Sequence, residues 1–196
     1  MKKKKNYKTM ALTTILGAAM LLSTACGSVS GSKGSTGKSS DIPTIGVIQY
    51  TTVPSLDNCY KGFVEGLEAE GFKDGKNVKI DFQNANAETA TADTEAQTMA
   101  QKKYDMVAAI ATPAAMSAYA ACKADKIPVV FTAVSDPVSA KLVDSLDKSG
   151  TVCAGSSDKL PLEAQVKMIR RMLPDAKKIG ILYTTSEPNS VTDLEL

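Results

Sequence analysis

Hydrophobic and polar positions alternate along the chain in two kinds of block. Short apolar runs at Ile42–Tyr50, Val78–Phe82, Met106–Ile110, Pro128–Thr132, Thr151–Ala154 and Lys178–Tyr183 read as six strands. Longer segments with helical spacing lie between them. Leu56, Tyr60, Phe63 and Leu67 recur at steps of four, three and four, which predicts one apolar helix stripe running to about Ala69 with Gly71 ending it. Asp74-Gly75 makes a turn. Further helices are expected over Thr91–Lys103, Ala114–Ala124 and Pro161–Met172, with a short one around Ala140–Ser145. Strands alternating with helices imply an α/β fold with a parallel sheet and right-handed crossovers.

The stretch around Met106–Ile110 organises the rest. A buried strand runs directly into Thr112, a reasonable N-cap, and Pro113, which suits the first helical position because its missing N–H costs nothing there. Little side-chain bulk stands over the helix start, so its free N–H groups suit a carboxylate or phosphate. Ligands of parallel sheets bind beyond the carboxyl ends of the strands, where strand order reverses. In the order 2-1-3-4-5 that point lies between the first and third strands. The polar loops Thr51–Ser55 and Thr112–Ala115 then face each other, with Ser135-Asp136-Pro137 next along.

Composition narrows the chemistry. The 196 residues are 43% hydrophobic and 22% charged, ordinary for a globular protein, and contain no His and no Trp. Lack of His excludes Ser-His-Asp and Cys-His catalysis and His-liganded zinc. The formal charge of +2 misleads, because residues 1–25 hold five Lys and no acid. The remainder has 18 basic against 21 acidic residues, a balance of −3 with no basic aromatic stripe, so nucleic acid is not an expected partner.

The beginning of the chain reads as an address. Lys2–Lys5 and Lys8 precede a short apolar run, Met10–Leu22, and then Ser23-Thr24-Ala25-Cys26. Residues 1–25 are expected to be a signal peptide, too short in its apolar run to span a membrane. Cys26 resembles the lipid-carrying cysteine of a bacterial lipobox, with Ser23 departing from the usual Leu; ordinary cleavage leaving a free Cys26 is the alternative. Residues 26–40 are small and polar and form an expected lipid-anchored flexible tether, which places the folded part outside the cytoplasm at the cell membrane. Residues 41–155 are expected to be an N-terminal α/β lobe, and 156–196 a hinge crossing and the start of a second lobe. Cys59, Cys122 and Cys153 match no metal spacing and read as buried thiols.

At Gln49-Tyr50, Val53–Asp57, Gly75–Val78, Asn84-Ala85, Ala111–Ala115 and Val130–Pro137 the chain resembles the ABC-transporter substrate-binding lipoproteins of the tryptophan/tyrosine-binding type. Leu173-Pro174, Ile179-Gly180, Tyr183 and Glu187–Ser190 continue the resemblance. It implies a type I periplasmic-binding-protein fold, two lobes closing on a small aromatic or branched amino acid, with an ABC permease as partner and no cofactor. Members commonly carry an acidic residue and His before the first-loop proline, where this chain has Thr52-Val53. The chain stops at Leu196, so the resemblance also implies a truncated version with most of the second lobe absent.

For such a ligand the candidate residues are Tyr50 and Thr51, Thr112, Pro113, Ala114 and Ala115 at the helix start, Ser135 and Asp136, and Glu187, Asn189 and Ser190. The helix N–H groups suit the carboxylate, Asp136 and Glu187 the ammonium, Tyr50 a side-chain wall, and Ser135, Asn189 and Ser190 the remaining hydrogen bonds. Each has a plainer reading: Asp136 as a turn acid before Pro137, Glu187 as a loop acid, Tyr50 as strand-end packing, and Ser157-Asp158 as the N-cap region of the next helix. Two other function classes stand beside this one: a ligand-sensing domain for a partner protein, which would share the fold, and an extracytoplasmic α/β enzyme of racemase type. The enzyme reading lacks both a cysteine in a strand-end loop and an activating His.

Overall fold

The computed structural model describes residues 42–195. The signal peptide, Cys26 and the tether lie outside those residues. Five parallel strands, β1 (Thr44–Gln49), β2 (Lys79–Asn84), β3 (Met106–Ile110), β4 (Val129–Val134) and β5 (Cys153–Ser157), form one sheet in the order β2-β1-β3-β4-β5. This is the expected topology.

Strand pleating divides β1 between two cores. Ile45 and Val47 join Ala108 and Ile110 on one face, under α1 (Pro54–Ala69), where the stripe seen in the sequence, Leu56, Tyr60, Phe63 and Leu67, packs together with Cys59. Ile48 and Tyr50 join Val107, Ala109, Val129 and Phe131 on the other. There α2 (Thr89–Gln101) and α3 (Thr112–Cys122) pack side by side through Ala92, Ala96, Ala114 and Ala118. Small side chains let these helices approach closely, and Ser117 Oγ donates to Asp93 Oδ1 across the seam at 2.6 Å. Gly71 ends α1 in a left-handed conformation at φ 88°, and Phe72 N–H donates to Leu67 O at 2.8 Å. That is the anticipated glycine stop.

Coverage of the sheet is unequal. α2 and α3 bury residues on their face completely, whereas no residue of α1 is fully buried. Beside α1 runs a trough of about 390 Å³, lined by Cys59, Gly62, Phe63, Val130, Thr132 and Ser156.

Four expectations are corrected. Lys178–Tyr183 pairs with no strand, and Ile181 and Leu182 are exposed; a strand needs a neighbour to satisfy its backbone, and none is present among the described residues. The segment around Ala140–Ser145 is a series of turns closed by Ala140 N–H to Asp136 O, too short for a helix. The fifth strand extends to Ser157, whose hydroxyl donates to Ser135 O, while Asp158 N–H donates to Val134 O. Ser157-Asp158 therefore prolongs the pairing with β4, and Pro161 is the N-cap of α4 (Leu162–Met172). Finally, Asn189 and Ser190 belong to a helix, α5 (Pro188–Glu195), rather than a loop.

Candidate functional site

The carboxyl ends of β1 and β3 lie side by side, joined by Tyr50 N–H to Ile110 O at 3.1 Å. Each strand passes into a helix on an opposite face of the sheet. Neither helix has a side-chain cap: Val53 precedes α1 and Ala111 precedes α3. Two uncapped N-termini thus flank the point where strand order reverses, and their backbone donors and dipoles favour an anion there. Thr112 is the first helical residue rather than the cap; Ala111 is the cap, and Ala115 N–H returns to Ala111 O at 3.0 Å.

Ala111 holds φ 84° and ψ 155°, a region almost reserved for glycine. Asn86, Ala87 and Ala133 also have positive φ, at the ends of β2 and β4. Ala133 sits where the register of β4 against β5 shifts, a bulge that redirects the chain into Ser135 and Asp136. Four of the seven described non-glycine residues with positive φ thus lie along the carboxyl edge of the sheet, while Lys103, Lys126 and Lys141 lie in turns elsewhere. Ala111 is the one in the region costly to a side chain, as at a site that over-determines its backbone. Ala111→Gly is expected to leave the melting temperature unchanged or raised, because relief of about 1–3 kcal/mol of strain outweighs about 0.5–1 kcal/mol of added unfolded-state entropy. Ala118→Gly, in the same helix, should cost about 1 kcal/mol. Equal losses in circular-dichroism melts would show Ala111 to be unstrained.

The edge brings together Thr51, Thr112–Ala115, Ser135 and Asp136. Thr112, Pro113, Ala114 and Ala115 are buried, so what they offer at the edge is backbone. A groove of about 550 Å³ lies beside Ser135, Asp136, Ser157 and Lys159. Asp136 Oδ1 accepts from Ser139 N–H at 2.9 Å and Val138 N–H at 3.0 Å, and Oδ2 from Ser139 Oγ at 2.8 Å. The Ser139 N–H above all holds its carboxyl below the usual carboxylate range, so the group is anionic and also organises its own turn.

Tyr50 has no free face. It is 5% exposed, packs in the core under α2, and donates its hydroxyl to Ala87 O at 2.9 Å. A wall for a ligand is not available from this ring, because burial of the aromatic surface holds it in the sheet. Glu187, Asn189 and Ser190 do not line the groove beside Asp136. Ser190 Oγ accepts from Thr184 N–H at 2.9 Å, Asn189 Oδ1 is buried without a partner, and α5 leans on α3.

Gln49, Asp57, Ala111 and Ala133 escaped the residue-by-residue reading of the site. Gln49 is 1% exposed at the end of β1, facing α1. Its Nε2 donates to Asp57 Oδ1 at 2.6 Å and to Thr51 O at 2.9 Å. Both partners only accept, which fixes the amide orientation and leaves Oε1 buried and unpartnered. An orphaned acceptor of this kind costs about 1–3 kcal/mol. The available signal was a glutamine closing an apolar strand. Across the next loop, Asn84 Nδ2 donates to Thr52 Oγ1 at 2.9 Å.

Cys122 and Cys153 are buried, and burial pushes both thiols up to about 11. Neither supplies a thiolate near neutrality. Cys59 is only half-buried, on α1. Among the described residues no group of three or more Cys, Asp or Glu is arranged to hold a metal ion.

A family model described as ABC transporter substrate binding protein matches residues 44–196. A tyrosine-binding protein of Clostridioides difficile (strain R20291) is 42% identical over 192 residues, which is 96% of this chain and 54% of that protein. The solved ABC domain in complex with L-Trp from Streptococcus pneumonia is 41% identical, with a TM-score of 0.74 over 79% of this chain and 52% of that one. A ligand-free, open substrate-binding protein with adhesive properties from Clostridium difficile is 43% identical, with a TM-score of 0.64 over the same shares. The chain spans about half the length of these relatives.

Proposed function

Because the chain belongs to the ABC transporter substrate-binding protein family and carries its type I periplasmic-binding-protein fold, we propose that it captures a small aromatic or branched amino acid for an ABC importer. The observation that carries the reading is the pair of uncapped helix N-termini at the switch point, with Ala111 strained between β3 and α3. The ligand carboxylate meets the backbone N–H groups at the start of α3, and the charge of Asp136 stands along the same edge for the ammonium. The L-Trp complex and the tyrosine-binding relative support an aromatic side chain. Binding is taken to occur without catalysis, in keeping with a family of binding proteins.

The lipid anchor at Cys26 and a position on the outer side of the cell membrane are part of the same proposal and rest on the sequence pattern alone. The membrane permease would be the macromolecular partner.

Titration by nuclear magnetic resonance with L-tryptophan, tryptamine and indole-3-propionate tests the assignment of the carboxylate. Tryptamine, which lacks it, should bind at least about tenfold more weakly than L-tryptophan, the loss of one charge-assisted contact set. Shifts should centre on the amides of Thr112 and Ala114, because Ala115 N–H is already bonded to Ala111 O. Equal affinity for tryptamine would overturn the reading.

A further inference from the structure

We propose that Gln49 and Asp57 form a latch that positions the first crevice loop, acting through Thr51 rather than by touching ligand. The proposal deepens the binding reading and rests on it. Three observations converge. Gln49 is buried at the carboxyl end of β1, and its one amide nitrogen ties two separate elements, the Thr51 carbonyl of the loop and the Asp57 carboxylate in the first turn of α1. α1 has no side-chain cap of its own, so this tie is what fastens its first turn to the end of the strand. The loop is held from its other side as well, by Asn84 to Thr52 Oγ1.

The geometry gives the latch a direction. A charge-assisted bond of 2.6 Å pulls the amide toward Asp57, and the same nitrogen then draws Thr51 O inward. With its carbonyl turned in, Thr51 leaves the edge between β1 and β3 lined by the N-terminus of α1 rather than by a backbone oxygen. An anion approaching that edge meets donors.

Asp57 is exposed, so its replacement tests the latch without disturbing the core. In the ligand-free 196-residue chain, Asp57→Ala should shift the amide resonances of Thr51 and Thr52 while those of Ala114 and Ala115 stay in place. L-tryptophan affinity should fall about tenfold, with the melting temperature changed by no more than a few degrees. Asp57→Asn keeps an acceptor at the same reach and should restore most of the affinity. The exchanged pair, Gln49→Glu with Asp57→Asn, re-forms the contact between positions 49 and 57 with donor and acceptor reversed but leaves the Thr51 carbonyl without its donor. It should therefore bind as weakly as Asp57→Ala; full affinity in this pair would overturn the part played by Thr51. If the loop amides and the affinity are both unmoved in Asp57→Ala, or if Asp57→Asn binds as poorly as Asp57→Ala, the latch is overturned. A wild-type chain that gives no response to L-tryptophan overturns the binding reading instead, and the loop amides still report whether the latch holds.

Discussion

Extended by the second half of its tyrosine-binding relative, the chain should bind L-tryptophan at least about a hundredfold more tightly than its 196 residues do alone. The crevice as it stands offers one wall: the helix starts, the Ser135-Asp136 turn and a groove open to solvent. A small ligand gains affinity from being enclosed on most of its surface. Covering an additional ~100 Å² of apolar ligand surface at about 25 cal/mol per Å² gives about 2.5 kcal/mol, close to two orders of magnitude in affinity. Calorimetry on the two chains makes the comparison. Equal affinity would mean that the carboxyl edge alone sets binding and that enclosure adds nothing.

The second large effect is on stability. Gly46 lies in the middle of β1, and a side chain there would run into the Met99 thioether and the Tyr104 ring. Met99 is 2% exposed, so its thioether has to be displaced toward the cavity of about 170 Å³ that it and Tyr104 border. Gly46→Val should therefore cost about 3 kcal/mol by overpacking. For a chain of this size that lowers the melting temperature by about 6–12 °C. Removing the obstacle should change the arithmetic, because Met99→Ala empties the space that the valine needs. The double variant is expected within about 1 kcal/mol of Met99→Ala alone, a non-additive pair. Additive losses in chemical denaturation would show that the two positions do not share a volume.

The positions of five strands and the main helices were legible because a parallel sheet writes its strands as short apolar runs and its helices as stripes. Leu56, Tyr60, Phe63 and Leu67 announced α1, and Gly71 its end. The run Lys178–Tyr183 has the same apolar character, yet a strand is a property of pairs, and character alone does not supply the partner. At the site, positions were easier to read than postures. Thr112-Pro113 signals a helix start, but the left-handed turn at Ala111 that displaces the cap by one residue has no signature in side-chain chemistry. Tyr50 suits a wall or a core equally well until the loop carrying Ala87 accepts its hydroxyl. Gln49 was visible as a polar residue in an apolar run, but its partner lies eight residues on, across a loop, where spacing rules do not reach.

Unequal coverage of the sheet has a dynamic consequence. α2 and α3 are sealed into one core and should come apart only when the whole unit does. α1 touches its face with half-buried side chains and leaves a trough at its flank, so its detachment exposes less surface and costs less free energy. The helix that begins at the crevice is therefore the loosest-moored part of the sheet's covering, and rapid amide exchange confined to it would leave the remaining scaffold protected. Whatever steadies its first turn also damps the breathing of that whole side of the molecule.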